Sequence, residues 1–227
     1  MLKYIDEHIV AQMYGTGLPE KAATTNQSEQ NSNQLSERAP NETELKLSAE
    51  ADMPIYIKGR PVHFTSVHLL DTLECLMPDF FNEMPIEEVR IKYPSEQRPH
   101  LVYSEPDGVV DVTISYTDME IKDHELEAIT KQLSAVIRRV QPIRSWQGIS
   151  VIPTDHMTLA TMKFVVSVVD GDIYNEMLLL HNRGQLVIVT FHCDAEEIED
   201  WRPMTDVLIR SLRLSTKEEN TYESGLS

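Results

Sequence analysis

The chain has 227 residues, of which 41% are hydrophobic, and a formal net charge of −17 from 20 basic and 37 acidic residues. Nucleic acids and anionic membrane surfaces are recognised through clustered Lys and Arg, so this charge argues against both as partners. No apolar run approaches the roughly 18 residues that a membrane-spanning helix needs, so we expect no direct membrane insertion. The start of the chain lacks the basic and apolar runs of a secretory signal, which predicts a cytoplasmic protein.

Composition divides the chain into ranges. Residues 1–20 are a short amphipathic segment, and residues 21–52 are rich in Ser, Thr, Asn, Gln and Glu without an aromatic side chain. The second range cannot bury enough apolar surface to offset its ordering entropy, which predicts a disordered polar linker with a reach of roughly 30 Å. Residues 53–214 contain the patterned elements and are predicted to form one domain. A disordered polar tail is predicted at 215–227.

The N-terminal segment carries an apolar stripe at helical spacing. A helix of this length is marginal by itself in water, so it is either a frayed terminus or a segment that docks on another surface. If the segment docks on a partner protein, the residues of the stripe are the predicted binding residues. They are Leu2, Ile5, Ile9 and Met13, together with Val10.

The domain begins with a predicted hairpin turned at Lys58-Gly59. Pro54 and Pro61 cannot donate ladder hydrogen bonds, which assigns this hairpin to a sheet edge. The run at 67–81 is apolar but aperiodic. We expect it to cross the core as irregular structure or a helical turn.

A short helix is predicted between Pro85 and Pro94, and strands are predicted at 100–104 and 109–117. In the second strand, apolar and polar residues alternate, so one face is expected to be buried and the other wet or lightly covered. The apolar residues are Val110, Val112, Ile114 and Tyr116, and the polar residues are Asp111, Thr113 and Ser115.

The clearest helical pattern runs from Asp123, as the predicted capping residue, to Val140, with Pro142 as the stop. Its apolar stripe comprises Leu126, Ile129, Leu133, Val136, Ile137 and Val140.

Strand patterns follow at 146–153, 159–170, 172–181 and 185–193. The last two are predicted to form a hairpin around a three-residue loop at 182–184, with Gly184 at its end. This pairing places His192 beside Tyr174, away from His181. Residues 186–191 are apolar on both faces except at Thr190, which predicts a central strand covered on both sides.

The closing helix is predicted to begin, or to be kinked, at Pro203 and to reach Leu214, after Asp194 and Glu197 in capping-box spacing. Strands joined by tight turns pair antiparallel, and the two long helical patterns can cover the sheet faces. The predicted fold class is therefore α+β, a twisted antiparallel sheet sandwiched between helices.

Residues 78–116 resemble bacterial proteins with the PsbP-like fold, which is shared by the Ran-release factor Mog, PsbP of photosystem II and bacterial DcrB-like proteins. The resemblance depends on the KYPS..RP turn at Lys92 to Pro99, the Asp107-Gly108 turn between two strands, and the element order across 53–214. It implies a binding module, because members are mostly adaptors, chaperones or accessory subunits without a shared catalytic site. It assigns a functional role to no residue of this chain.

The sequence contains no phosphate-binding glycine loop, no GxSxG and no HExxH, and no cofactor is predicted. Cys75 and Cys193 form no CxxC pair, and Cys193 is interpreted as a small buried residue rather than a nucleophile. No metal site is predicted, although three histidines could meet through folding. They are His63, His68 and His100.

Arg98-Pro99 has two interpretations, a ligand contact or a structural turn in which Arg98 satisfies carbonyls or pairs with an acid; we favour the turn. The acidic run at 196–200 is interpreted as favourable charge at a helix start, with a cation site as the alternative. The ten methionines are interpreted as core filling, with an adaptable binding face as the alternative.

These features predict a non-enzymatic, protein-binding adaptor or chaperone-like protein. The alternative is an accessory subunit of a membrane or secretion machine that docks through the N-terminal helix, and an enzyme ranks third. The sequence does not identify the partner protein, the pathway or the oligomeric state.

Overall fold

The computed structural model describes residues 54–69 and 73–215. The predicted N-terminal binding residues, the linker and nearly all of the predicted tail lie outside these ranges. The strands are β1 (Ile55–Ile57), β2 (Arg60–Val62), β3 (Phe64–Leu69), β4 (Leu73–Pro78), β5 (Asn82–Glu83), β6 (Leu101–Ser104), β7 (Asp111–Glu120), β8 (Ile143–Pro153), β9 (Thr158–Val168), β10 (Gly171–Asn182), β11 (Gln185–Asp194) and β12 (Arg213–Leu214). The α-helices are α1 (Ile86–Lys92), α2 (Leu126–Val140) and α3 (Ile198–Ser211), and 3-10 turns at Asp123–Glu125 and Ala195–Glu197 lead into α2 and α3.

The main sheet is antiparallel, with the strand order β5-β6-β7-β11-β10-β9-β8 within the described residues. One face packs against α2, where Leu133 and Ile137 meet Phe164 of β9. The other face packs against α3 and the smaller sheets, where Trp201 and Leu208 share a core with Val187, Val189 and Phe191 of β11. The predicted fold class is confirmed: an antiparallel sheet is sandwiched between helices. The predicted central position of β11 is also confirmed.

Within the run at 67–81, residues 67–69 end β3 and residues 73–78 form β4, so the prediction of irregular structure or a helical turn was wrong there. β3 and β4 make an antiparallel hairpin, and β12 joins β4 on its other side. Leu73, Cys75 and Met77 alternate toward the core, but apolar Leu76 occupies the opposite face. Apolar residues on both faces conceal the two-residue period that identifies a strand.

The Lys58-Gly59 turn is confirmed: both residues have positive φ, 49° and 70°, as a two-residue hairpin loop of this type requires. The hairpin does not join the main sheet, and within the described residues its two strands pair only with each other, so both are edge strands, as the prolines predict. β1 and β2 form a separate two-stranded sheet. Ile57 packs into the core beside α3, and Lys58 Nζ lies 2.7 Å from Glu197 Oε1.

The loop between β10 and β11 has two residues rather than the predicted three. Asn182 pairs with Gln185, and Arg183 and Gly184 between them have φ of 50° and 89°. The register therefore shifts by one residue, and His192 lies opposite Asn175 instead of Tyr174. Because side chains alternate between faces, this shift turns His192 away from α3, onto the opposite face of the sheet.

The polar face of β7 is buried, so the prediction of a wet or lightly covered face was wrong. Asp111, Thr113 and Ser115 have at most 2% of their surface exposed. The α1 region covers the Asp111 end of this face, where Val89 and Tyr93 pack on Val102 of β6.

The starts of the two long helices also differ from prediction. α3 begins at Ile198, so Pro203 does not begin the helix but lies inside it, where the alternative prediction of a kink places it; the helix ends at Ser211, and Leu214 belongs to β12. Asp194 does cap the preceding 3-10 turn, through a 2.9 Å bond from Glu196 N. Before α2, Glu125 rather than Asp123 supplies the capping carboxylate, which accepts a bond from Lys122 N at 3.0 Å.

Candidate functional site

The most highly charged part of the interior is a group of side chains beneath α1, which we call the Asp111 cluster. Asp111 and Tyr93 have no exposed surface, and His192 has 3%. The cluster consists of Lys92, Tyr93, Ser104, Asp111 and His192.

Asp111 accepts bonds on both of its carboxylate oxygens. Its Oδ2 lies 2.5 Å from Lys92 Nζ and 3.0 Å from the Tyr93 hydroxyl. His192 Nε2 lies 3.3 Å from the same oxygen and 3.0 Å from the Tyr93 hydroxyl. Ser104 Oγ donates to Oδ1, and Lys92 Nζ donates to the carbonyl of Gly108 at 2.8 Å.

The carboxylate of Asp111 is held in its ionised form. Burial alone would raise its pKa, but the hydrogen bond and charge of His192 and the ammonium of Lys92 outweigh burial. The net result is a pKa well below the ordinary range of an aspartate. The Lys92 side chain keeps 16% of its surface exposed, so the ion pair reaches the molecular surface there.

Local structure explains how the cluster is assembled. Asp111 lies directly opposite Ser104 in the β6–β7 ladder and opposite His192 in the β7–β11 ladder. These neighbours share one face of the sheet, because directly paired residues point the same way. Tyr93 follows the last residue of α1 one helical turn after Val89, and both side chains turn toward the sheet.

The geometry of the cluster supports attachment of α1 to the sheet. α1 has seven residues, with Val89 as its buried residue. Apolar burial by so short a helix contributes little to its stability. The bonds from Lys92 and Tyr93 to Asp111 add charged and polar links across the same contact.

A second ion pair, with a buried carboxylate and a partly exposed lysine, lies on the α3 side of the sheet. Lys163 Nζ is 2.8 Å from Glu176 Oε1, and the Tyr174 hydroxyl donates to Glu176 Oε2 at 3.0 Å. Burial first, and then the charge of Glu176, raise the pKa of Tyr174 above its ordinary value. The phenol is therefore a stable hydrogen-bond donor to the carboxylate.

Arg98 and Pro99 lie in the turn between α1 and β6. Arg98 Nε donates to the Ser95 carbonyl at 2.9 Å, within the same turn, and Pro99 is buried. These contacts agree with the interpretation of Arg98-Pro99 as a structural turn in which Arg98 satisfies a carbonyl. A ligand role for the pair stays a prediction.

The cysteines are buried, and burial raises the pKa of Cys75 and of Cys193 to about 12. Such thiols are poor nucleophiles, which agrees with the interpretation of Cys193 as a small buried residue.

Two of the three histidines considered as metal ligands, His68 and His100, have separate partners. His100 Nδ1 accepts a bond from Tyr116 N at 3.1 Å, and His68 Nδ1 lies 3.6 Å from a carboxylate oxygen of Glu74. Across 54–69 and 73–215, no three His, Cys, Asp or Glu side chains are grouped to hold a metal ion. The expectation that the protein binds no metal stays a prediction.

The outermost strand β8 is the second candidate site. It has 11 residues, and in the part of the chain that the structure describes it pairs with β9 alone. We call its side turned away from β9 the β8 edge. Pairing with β9 shifts register at 143/145 and at 146/148, and is regular from Ile149 to Pro153. Val151, within the regular part, is 44% exposed.

Near the start of β8, Trp146 packs between β9 and α2. The ring of Trp146 stacks on Phe164 of β9, with centroids 5.4 Å apart and planes 13° apart. The guanidinium carbon of Arg138, from the last turn of α2, lies 5.4 Å from the centroid of the Trp146 ring. A cation over an indole face is an attractive arrangement, so Arg138 is held beside β8.

Sequence reasoning did not identify either site. Lys92 and Tyr93 are part of the KYPS turn on which the family resemblance depends. Aspartate is rare within β-strands. An aspartate within the β7 pattern was therefore an available signal for a buried charge. No local pattern marks an edge strand, because strand order is a property of the whole sheet.

No α-helix within residues 54–69 and 73–215 combines the length and apolar character that membrane crossing requires.

No protein-family model matches the chain, and no curated protein matches it. Similar solved structures include PsbP of the cyanobacterium Synechocystis sp. PCC 6803, with 13% identity, coverage of 70% of this chain and 96% of that one, and a TM-score of 0.49. LpqN, involved in cell envelope biogenesis of Mycobacterium tuberculosis, has 11% identity, coverage of 70% and 94%, and a TM-score of 0.45. PA94 of Pseudomonas aeruginosa, a protein of unknown function, has 12% identity, coverage of 65% and 94%, and a TM-score of 0.40. Similarity at this level transfers no ligand, partner or activity to this chain.

Proposed function

We propose that the chain is a non-enzymatic binding protein, of the adaptor or chaperone-like kind, that binds another polypeptide in extended conformation along the β8 edge. The observation that carries the proposal is the length of this edge, 11 residues, at the end of the main sheet. An edge strand presents unpaired N–H and C=O groups to which an added strand can bond.

Proteins usually protect such edges with short strands, charges, prolines or bulges. The opposite edge of the sheet follows this rule, since β5 has two residues. In β8 the register shifts and Arg144 lie in the first half, and Pro153 lies at the end. The stretch from Ile149 to Ile152 has regular pairing and no charged residue. That stretch is where a strand can be added.

The interior chemistry favours binding over catalysis. Asp111, Tyr93 and His192 are buried and bond to one another. The thiol of Cys193 is buried, and its pKa is raised to about 12. Asp111, Tyr93 and His192 are therefore engaged with one another, and the Cys193 thiol is held in an unreactive form.

The test is a selection of random extended peptides on the full-length chain, followed by fluorescence anisotropy of the enriched peptides. We expect Val151→Lys to weaken their binding by about tenfold or more, because lysine on an edge strand opposes strand addition. Ile91→Lys is the matched control, since Ile91 is also an exposed apolar residue, at 82%, but lies on α1. Circular dichroism would verify that both variants keep the wild-type melting temperature.

Enriched peptides that keep their affinity for Val151→Lys would show that binding occurs elsewhere. The absence of any enrichment over a bare surface would refute peptide binding itself.

A further inference from the structure

We infer that the β8 edge selects an acidic extended segment, with carboxylates that bind the arginines at the start of β8 and an uncharged stretch that pairs with Ile149–Ile152. This inference rests on the proposed function and specifies the chemistry of the partner.

The charge at this edge differs from that of the whole chain. The chain has a net charge of −17, yet β8 contains Arg144 and no acidic residue. The last turn of α2, which leads into β8, adds Arg138 and Arg139. The β9–β10 turn and the start of β10 contain Asp170 and Asp172, and Asp194 at the end of β11 lies one strand further from β8, opposite Ile173.

The arginines are placed to bind a carboxylate. Arg138 is held over the Trp146 ring, and the Arg144 side chain is 66% exposed. Arg144 Nη1 lies 2.7 Å from Asp172 Oδ2, while Ser167 Oγ donates to the other oxygen of Asp172 at 2.8 Å. An arginine has five N–H donors in a planar fork, so pairing with Asp172 leaves donors for a second carboxylate.

The net charge of the whole chain and the local charge of the arginines act differently on candidate partners. The overall charge of −17 attracts basic segments from a distance, but salt screens this field beyond about 8 Å. At contact, Arg138 and Arg144 repel a basic segment and attract an acidic one. Like charges at a contact surface reject unsuitable partners, which makes the arginines a selectivity feature of this edge.

The experiment compares three peptides with the same uncharged, alternating Val/Thr core, flanked by Asp, by Ser or by Lys. Their affinities for the full-length chain are measured by fluorescence anisotropy at low and at high salt. We expect the Asp-flanked peptide to bind about three- to tenfold more tightly than the Ser-flanked peptide, and the Lys-flanked peptide to bind most weakly. The preference should largely disappear at high salt.

The variant Arg144→Gln, alone and with Arg138→Gln, should abolish the preference for Asp while keeping the affinity for the Ser-flanked peptide. The single variant keeps the Arg138–Trp146 contact, so it still tests the inference if the double variant has a lower melting temperature. Arg90→Gln, which removes an exposed arginine from α1, is the control and should keep the preference.

Equal binding of the three peptides, abolished in each case by Val151→Lys, would overturn the charge inference and leave the proposed function standing. Tighter binding of the Lys-flanked peptide would also overturn it. Failure of all three peptides and of the selected peptides would refute the proposed function as well. A concentration-dependent wild-type dimer in sedimentation, dissolved by Val151→Lys, would identify a second copy as the occupant and overturn the inference.

Discussion

At the scale of single residues, the carboxylate of Asp111 connects three parts of the chain that are distant in sequence. Its partners come from α1, β6 and β11, and Asp111 and His192 are 81 positions apart. A buried charge of this kind is costly to desolvate, and removal of one partner exposes that cost.

Asp111→Ala should lower the free energy of unfolding by about 3–5 kcal/mol, because it leaves the largely buried Lys92 ammonium without its counterion. It also removes an acceptor from Tyr93. Urea unfolding followed by circular dichroism measures the loss. Lys131→Ala, which breaks an exposed pair with Glu127 on α2, is the control and should have a much smaller effect. A loss for Asp111→Ala as small as that of the control would contradict the attachment role.

The same carboxylate predicts a pH dependence. The folded pKa of Asp111 is lowered, so the unfolded chain takes up this proton first, at a pKa of about 3.9. The stabilisation by Asp111 is therefore complete above that value and is lost as the pH falls through it toward the folded pKa. The difference in unfolding free energy between wild type and Asp111→Asn should shrink between about pH 5 and about pH 2. Urea titrations at several pH values would test this, and a difference that grows toward acid would show that the native carboxyl is protonated.

At the scale of elements, the β10–β11 loop decides which face of the sheet receives His192. A loop of two residues sets the pairing of Asn182 with Gln185, and every later pair follows from it. The loop residues need positive φ, which Gly184 adopts without strain. A local turn therefore determines a contact in the interior.

Gly184→Ala should cost about 1–2 kcal/mol of stability, because alanine is strained at positive φ. A Cβ at this position would meet no atom within 4 Å, so the cost comes from the backbone alone. Gly184→Asn should cost clearly less, since Asn tolerates this conformation. Thermal unfolding of the two variants provides the comparison, and equal losses would show that the backbone conformation is not the cause.

At the scale of the whole molecule, the described strands and helices run from Ile55 to Leu214, which is nearly the range predicted as a domain. The cores on the two faces of the main sheet share the strands β9, β10 and β11. Because the two cores share these strands, we expect the range to unfold as one unit.

Limited proteolysis with a protease of broad specificity should cut first within 21–51 and leave a resistant fragment close to 53–214. The reason is that the first range lacks the apolar residues that a packed segment buries. Mass spectrometry of the fragments would give the boundaries, and thermal unfolding of the fragment should match that of the full chain. Resistance throughout 21–51 would mean that this range packs on the domain.

The sequence by itself determined the elements whose pattern is local. The α2 stripe, including Leu133 and Ile137, and the alternation of Met162, Phe164 and Val166 in β9 each repeat at the period of their own element. The Lys58-Gly59 turn was equally readable, because glycine and a two-residue loop specify a hairpin over a few positions. These signals were sufficient for the α+β class.

The tertiary structure decided the features that depend on neighbours distant in sequence. β4 was unrecognised because apolar residues lie on both of its faces, and the polar face of β7 was misread because α1 covers its Asp111 end. Asp111 is buried only because Lys92, Tyr93 and His192 arrive from other elements to offset its desolvation. The β8 edge likewise follows from strand order, which long-range pairing sets and which no short stretch of sequence encodes.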